Sequence, residues 1–423
     1  MPKGPTLYRL AADRQYDAIP AHIQSNPDDL FWTDRYGSTA LHILCQSRSA
    51  DRRLLRAVNA ILLNAPEQVA WANAGGYTPL HFAVEKRLVW GGDNCSTSLV
   101  LNLIRSCPSA VSVRTQTGFR TKTPFHISCE SDADYHVLRA MLMINPALAT
   151  EPFVNRDVYS VAENPLQLLW KHHQYNTRST RSSNGSLSRR NLNHQQQQHQ
   201  HYRSNRTKEK MALLLQAAHY GTVEQMRTKF RLLNAACSVR CPRDYFTQVL
   251  NESREQIDQP DEDGLHPLHY AVKNACADSQ SYTQFVLESL LEHSVKAASV
   301  ADQEGRLPLH VAVSDSLMTW HKGGIRELVF AYPNALRSVD PRNGLVPFLA
   351  SAVSANKSRL HLSTTFELLL SAPEMVQPWK ESNRLKKNLC SKNAAASMKH
   401  FHSSFESEDQ DRLCESIYGV DLR

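Results

Sequence analysis

The sequence predicts an all-α solenoid of stacked helix pairs joined by hairpin-like turns. Three observations carry that prediction. A short phrase recurs, as TPLHFAV at 78–84, HPLHYAV at 266–272 and LPLHVAV at 307–313, with looser versions STALHILC at 38–45 and KTPFHISC at 122–129. Counted with four weaker copies at Leu7, Leu166, Leu233 and Phe348, the spacing runs from 34 to 45 residues, apart from one gap of 67. A second apolar anchor stands 18 residues before six of the copies. A period of this size marks a repeat architecture, so the 423 residues need not be divided into ordinary domains.

The phrase itself reads as a short first helix. Aligned on the residue before His, positions 0, +3 and +4 are apolar or small, as in Leu80/Ala83/Val84, Leu268/Ala271/Val272 and Leu309/Ala312/Val313. That spacing lays one stripe along a helix. Thr78 followed by Pro79 reads as an N-cap with proline at the first helical position. Weaker starts at Leu7, Leu166, Leu233 and Phe348 bring the total to eight or nine repeats.

The second helix of each unit carries the other anchor, at Ile23, Leu62, Leu215, Leu250, Leu291 and Phe330, inside patches such as LLRAVNAILL (54–63). Pro27, Pro66, Pro108, Pro146, Pro333 and Pro373 close such patches and act as stop signals. A turn follows. Asp34–Gly37, Asn73–Gly76, Asp261–Gly264 and Asp302–Gly305 each place Asp or Asn three residues before a glycine suited to positive φ.

The string Asp34–His42, D-x-x-G-x-T-x-L-H, resembles the ankyrin repeat, and the 73–81, 261–269 and 302–310 copies keep most of it. The resemblance extends to about residue 378. Most units here are longer than the usual ~33 residues, with the excess between the two helices. The resemblance implies that the imidazoles are scaffolding: each bridges the Thr hydroxyl and nearby backbone at the helix entry. The structural set is Thr39, His42, Thr78, His81, His126, His269 and His310. Cys45, Cys129 and Cys237 stand where other copies have valine, so they read as packing residues rather than nucleophiles.

The gap of 67 residues has an explanation in the same register. Leu215 stands 18 residues before Leu233, so 211–219 reads as the second helix of the repeat begun by Leu166. The expected organisation is repeats over 1–173, a disordered Ser/Arg/Gln/His-rich loop over 174–210, repeats over 211–378 and a polar tail over 379–423. One continuous stack is expected, with two arrays as the alternative.

The net charge of +7 comes from the 174–210 window; outside it, basic and acidic residues are equal in number. Nucleic-acid binding is therefore expected, if anywhere, only through that basic loop. An RNA-binding or regulatory role through the loop is the alternative to a protein scaffold. No phosphate loop, paired-carboxylate motif or nucleophile elbow occurs, and Cys237 and Cys241 lack a second ligand pair for zinc. The expectations are no catalytic residue, no metal and no cofactor. With no 18-residue apolar run and no apolar signal core, neither a membrane span nor secretion is expected. Free thiols fit a monomer of the cytoplasm or nucleus.

Function is expected at the turn tips, where ankyrin-like proteins hold protein ligands. The partner-binding candidates are Arg35, Tyr36, Tyr77, Glu262, His266, Gln303, Arg306, Arg342 and Asn343. Aromatic and arginine side chains exposed on tips are suited to act as anchors.

Overall fold

The computed structural model describes residues 5–47, 51–85, 94–115, 120–152, 154–155, 163–182, 194–221, 230–275, 280–314, 318–355 and 360–376. The chain forms two compact units, Met1–Phe230 and Arg231–Arg423. In the first, α1 (Thr6–Ala12) pairs with α2 (Ile19–Ser25), α3 (Ala40–Cys45) with α4 (Arg52–Asn64) and α5 (Pro79–Glu85) with α6 (Asn94–Ser106). Two more pairs follow: α7 (Pro124–Glu130) with α8 (Tyr135–Ile144), and α9 (Pro165–Ser182) with α10 (His194–Tyr220). First helices pack on first helices, from α1 on α3 to α7 on α9. Second helices likewise pack from α2 on α4 to α8 on α10.

The second unit repeats this two-layer plan. Its pairs are α11 (Leu232–Ser238) with α12 (Arg243–Glu252), α13 (Pro267–Lys273) with α14 (Gln280–His293), α15 (Pro308–Ser314) with α16 (Ile325–Ala331), and α17 (Pro347–Ala355) with α18 (Leu360–Ser371). Among the described residues this makes nine helix pairs, five in the first unit and four in the second, the all-α helix-pair architecture that the periodicity predicts. The sole pairing of strands there is two residues long, β1 (Arg120–Thr121) against β2 (Val154–Asn155), antiparallel with Arg120 opposite Asn155. It joins the turn entering α7 to the turn entering α9.

The core lies between the layers, and the phrase explains why. Leu7, Leu41, Leu80, Phe125, Leu166, Leu233, Leu268 and Leu309 open successive first helices and are at most 1% exposed. Each such side chain contributes about 1.5–3 kcal/mol through burial. The prolines after the second helices do more than stop them. Ala65, Asn145 and Tyr332 have φ of −149°, −141° and −143°, and each precedes a proline that opens a 3-10 turn. A residue before proline is sterically pushed out of the α region, while proline suits the first position of the new turn. The chain thereby bends out of the outer layer toward the next hairpin.

Two expectations are corrected. Phe330 is 71% exposed, although its register made it a core anchor; Val329 takes that place at 4%. The turn ahead of α17 spaces Asp340 and Gly344 by four residues instead of three, so counting back from Phe348 lands one residue late. The second concerns 174–210, expected as a disordered loop. It is helical over 174–182 and 194–210, and 183–193 lies outside the described residues. Its last turn is pinned to the neighbouring repeat: Lys210 Nζ donates to Asp132 Oδ1 at 2.6 Å and Arg206 Nη2 to Asp134 Oδ2 at 2.7 Å. Once nucleated there, a Gln-, Arg- and Lys-rich segment propagates as helix at little cost. The tail 379–423 lies outside the described residues.

Candidate functional site

The turns are closed by their first residue. Asp34 Oδ1 accepts from the N–H groups of Tyr36 and Ser38, both at 2.8 Å, and Gly37 sits at φ +73°. Asn73 does the same for Gly75 and Tyr77 at 3.0 Å, Asp261 for Asp263 and Leu265, and Asp302 for Glu304 and Arg306. The second carboxylate oxygen ties the turn to the helix layer. Tyr8 donates to Asp34 Oδ2 at 2.8 Å and Tyr270 to Asp261 Oδ2 at 2.6 Å. Burial raises the Asp34 pKa, but hydrogen bonds from Ser38, Tyr8 and Tyr36 outweigh it and hold the carboxyl below its usual range. Burial first, and then the same contact with Asp34, push the Tyr8 phenol up to about 12.

This geometry separates tip from base. The residues one and two after the Asp or Asn project, whereas the residue four after it is held by the turn's own hydrogen bond. Arg35, Tyr36, Glu262, Gln303 and Arg342 are accordingly exposed, with the Arg35 guanidinium 4.6 Å from the Tyr36 ring centroid. The other four candidates are corrected. Arg306 is a base residue, 7% exposed, with Nε on Asp302 Oδ2 at 3.2 Å. Tyr77 occupies the same base position and stacks on Phe82 at 5.4 Å. His266, 4% exposed, stands at the N-cap of α13. Asn343 is half-buried and closes its own turn, accepting from the Leu345 N–H at 2.9 Å and donating to Asp340 Oδ2 at 3.0 Å.

The histidines of the phrase are buried and share one geometry. The Thr78 N–H and hydroxyl lie 3.1 and 2.8 Å from His81 Nδ1, which therefore carries no proton. The ring proton sits on Nε2, which donates to the Lys122 carbonyl in the next repeat at 3.2 Å. His42 links Thr39 to the Tyr77 carbonyl in the same manner, and His126 links Thr123 to the Glu151 carbonyl. In His310 the cap donor is the Leu307 N–H, and the acceptor is the Ser338 carbonyl. Burial pushes the His42, His81, His126 and His269 imidazoles down to about 4, so the neutral ring is the native form. The cross-repeat carbonyls left no trace in the sequence reading, because every residue owns a carbonyl.

One copy breaks the pattern. His266 replaces the capping threonine, and His269 keeps its bond to the Arg306 carbonyl at 3.2 Å. The Nδ1 atoms of both rings, whose centroids are 5.9 Å apart, are buried without a hydrogen-bond partner. Gln167 shows a different solution: its Oε1 accepts from the Asn164 N–H at 3.0 Å, and the Gln167 N–H donates back to Asn164 Oδ1.

Elsewhere the chemistry is quiet. Cys45, Cys129 and Cys237 are buried, and burial raises the Cys129 and Cys237 thiols far above their ordinary value. Cys241, pushed up to about 12, lies 3.0 Å from the Tyr282 hydroxyl. Thiols held protonated in this way are poor nucleophiles. Among the described residues no three His, Cys, Asp or Glu side chains converge as a metal site, and no helix is long and apolar enough to cross a membrane.

Comparison with known proteins adds little detail. No family model matches the chain. Rabankyrin-5 of Mus musculus is 30% identical over 125 residues, a match covering 30% of this chain and only 9% of that protein. The human ASB11 ankyrin repeat domain is 13% identical over 77% of this chain and 97% of its own, with a TM-score of 0.24. The ankyrin repeat domain of Bcl-3, described as a unique member of the IkappaB protein family, is 19% identical over 79% and 99%, with a TM-score of 0.23. At those scores the repeat assignment rests on the chain's own turns, layers and histidine bridges.

Proposed function

We propose that this chain of ankyrin-type repeats is a non-catalytic scaffold that holds a protein partner on its turn tips and the adjoining first-helix layer. One observation carries the reading: projecting side chains are mounted on hairpins whose backbone is already closed. Tyr36 is 54% exposed and lies beneath Arg35, yet the turn that bears it is fixed by Asp34. A rigid exposed aromatic with an arginine beside it loses little entropy on binding, which is the property of an interface anchor. The buried, protonated thiols support a reducing compartment, cytoplasm or nucleus.

The basic stretch is a weaker candidate for the same role. Two of its cations, Arg206 and Lys210, are already paired with Asp134 and Asp132 inside the stack.

Photo-crosslinking residues placed at Tyr36 in the first unit, or at Gln303 or Arg342 in the second, are each expected to capture a protein partner. One placed at Leu63, on the outer layer and 84% exposed, is not. Changing Arg35, Tyr36 and Arg342 together to Ala should leave the melting temperature unchanged and abolish that capture. Equal capture from Leu63, or undiminished capture by the triple variant, would move the interface away from the tips.

A further inference from the structure

Two aromatic side chains stand at the base of the first two hairpins, where packing asks for none. Phe31 closes the 3-10 turn Pro27–Phe31, and Trp71 directly follows the 3-10 turn Pro66–Ala70 of the next repeat. Their ring centroids lie 6.1 Å apart at an interplanar angle of 45°, so the rings form a tilted pair rather than a stack. Phe31 is 49% exposed and Trp71 is half-buried. Counted from the start of the 3-10 turn, later repeats put Ser112, Ser299 and Arg337 in the place of Phe31. They put Val113, Val300 and Ser338 in the place of Trp71. Positions that serine and valine fill elsewhere do not need a ring to build the repeat.

The polar groups of the same two turns are acceptors. A 3-10 turn sets residues i and i+3 in line, which puts Asp28 in line with Phe31 and Gln68 in line with Trp71. Gln68 is fully buried, and its Nε2 donates to the carbonyl of Leu30, the residue before Phe31, at 2.9 Å. That bond fixes the amide, because an amide oxygen cannot face a carbonyl, and Oε1 is left as a buried acceptor without a partner. Asp28 in the first turn and Glu67 in the second are exposed and share no ion pair with a described cation. The guanidinium of Arg35 lies on the Tyr36 ring instead. Two ring faces, two unpaired carboxylates and one unpartnered acceptor together suit a cation that carries several hydrogen-bond donors.

We propose that Phe31 and Trp71 hold an arginine side chain of a protein partner, at a site in the first unit apart from the turn tips. A guanidinium is planar and weakly hydrated, so it lies flat on an aromatic face while its five donors point outward in its own plane. Those donors answer the carboxylates of Asp28 and Glu67, which supply the complementary charge. An apolar partner segment would cover the rings but strand the two carboxylates without water or a partner, a cost that arginine avoids. A lysine ammonium is more strongly hydrated and lacks the flat surface that matches a ring. The site stands independently of the tip reading, since no tip residue takes part in it.

The test is an NMR titration of the isotope-labelled full chain with N-acetyl-arginine methylamide, the neutral citrulline analogue serving as control. The Trp71 indole N–H signal, assigned by its loss in Trp71→Phe, should shift saturably with the arginine compound and stay in place with the citrulline one. Phe31→Leu keeps an apolar side chain but removes the ring quadrupole, so it should weaken the affinity about threefold. The D28N/E67Q variant should weaken it by about the same factor and make it less sensitive to salt. Both variants change exposed side chains, so their melting temperatures should match that of the parent. A Trp71 signal that does not move, an equal shift with the citrulline analogue, or undiminished affinity in either variant would each overturn the proposal.

Discussion

Replacing His81 separates the two jobs of the repeated histidine. In His81→Ala the Thr78 N–H loses its partner, the Lys122 carbonyl keeps only its bond from the Thr115 N–H, and a fully buried imidazole leaves a void. A buried polar group left without a partner costs about 1–3 kcal/mol, so the orphaned Thr78 N–H, the lost bridge and the cavity together predict a loss of about 2–4 kcal/mol. His81→Gln differs, because Gln167 shows that a glutamine at this register can accept from the cap N–H at 3.0 Å. The glutamine keeps the helix entry and gives up the bridge to the next repeat. Its expected loss is about 1 kcal/mol, the net worth of one hydrogen bond. Urea denaturation followed by far-UV circular dichroism measures both, with the m-value checking that the same surface unfolds. Equal losses for the two variants, or a loss below about 0.5 kcal/mol for His81→Ala, would refute the bridge as a source of stability.

Three further outcomes follow from the same geometry. His266→Thr restores a cap hydroxyl toward the unpartnered His269 Nδ1, so it should stabilise by about 1 kcal/mol and raise the melting temperature. Acid should weaken the stack between pH 6.5 and 4. In that window an unfolded histidine, near 6.5, binds a proton that the buried rings of His42, His81, His126 and His269 refuse until about 4. The unfolded state then holds more protons, so stability falls as pH falls, by up to about 3 kcal/mol per histidine. Melting temperatures across that range check it, and a flat profile contradicts it. Gly324→Ala should lose about 2 kcal/mol or more, because φ is +101° and a Cβ there would collide with Leu287 Cδ1. A thermal melt reads that loss directly.

Legibility in the sequence followed the range of the interaction. The entry of each first helix is written in neighbouring residues: Thr78 caps, Pro79 opens, and His81 returns to the Thr78 N–H three residues back. The turns are equally local, since Asp34 closes onto Tyr36 and Ser38. Misreadings began where one residue shifts a count or where the partner is far along the chain. The extra residue before Gly344 moved the outer anchor from Phe330 to Val329. Composition alone made 174–210 a loop, because the aspartates that anchor Arg206 and Lys210 lie in the preceding repeat, 72 and 78 residues earlier.

The sequence by itself determined the period, the helix pairing and the turn chemistry, because each depends on residues within a few positions of one another. Only the tertiary structure decided which tip residues reach solvent, since Arg306 and Arg35 are alike in type and differ in their place on a closed turn. It alone decided where the ring protons of the histidines go, because the accepting carbonyl belongs to another repeat and carries no side-chain signal. It also decided which copy is strained. A histidine can stand where threonine caps, but it leaves a buried nitrogen unpaired, and that deficit exists only once the neighbouring repeat has excluded water.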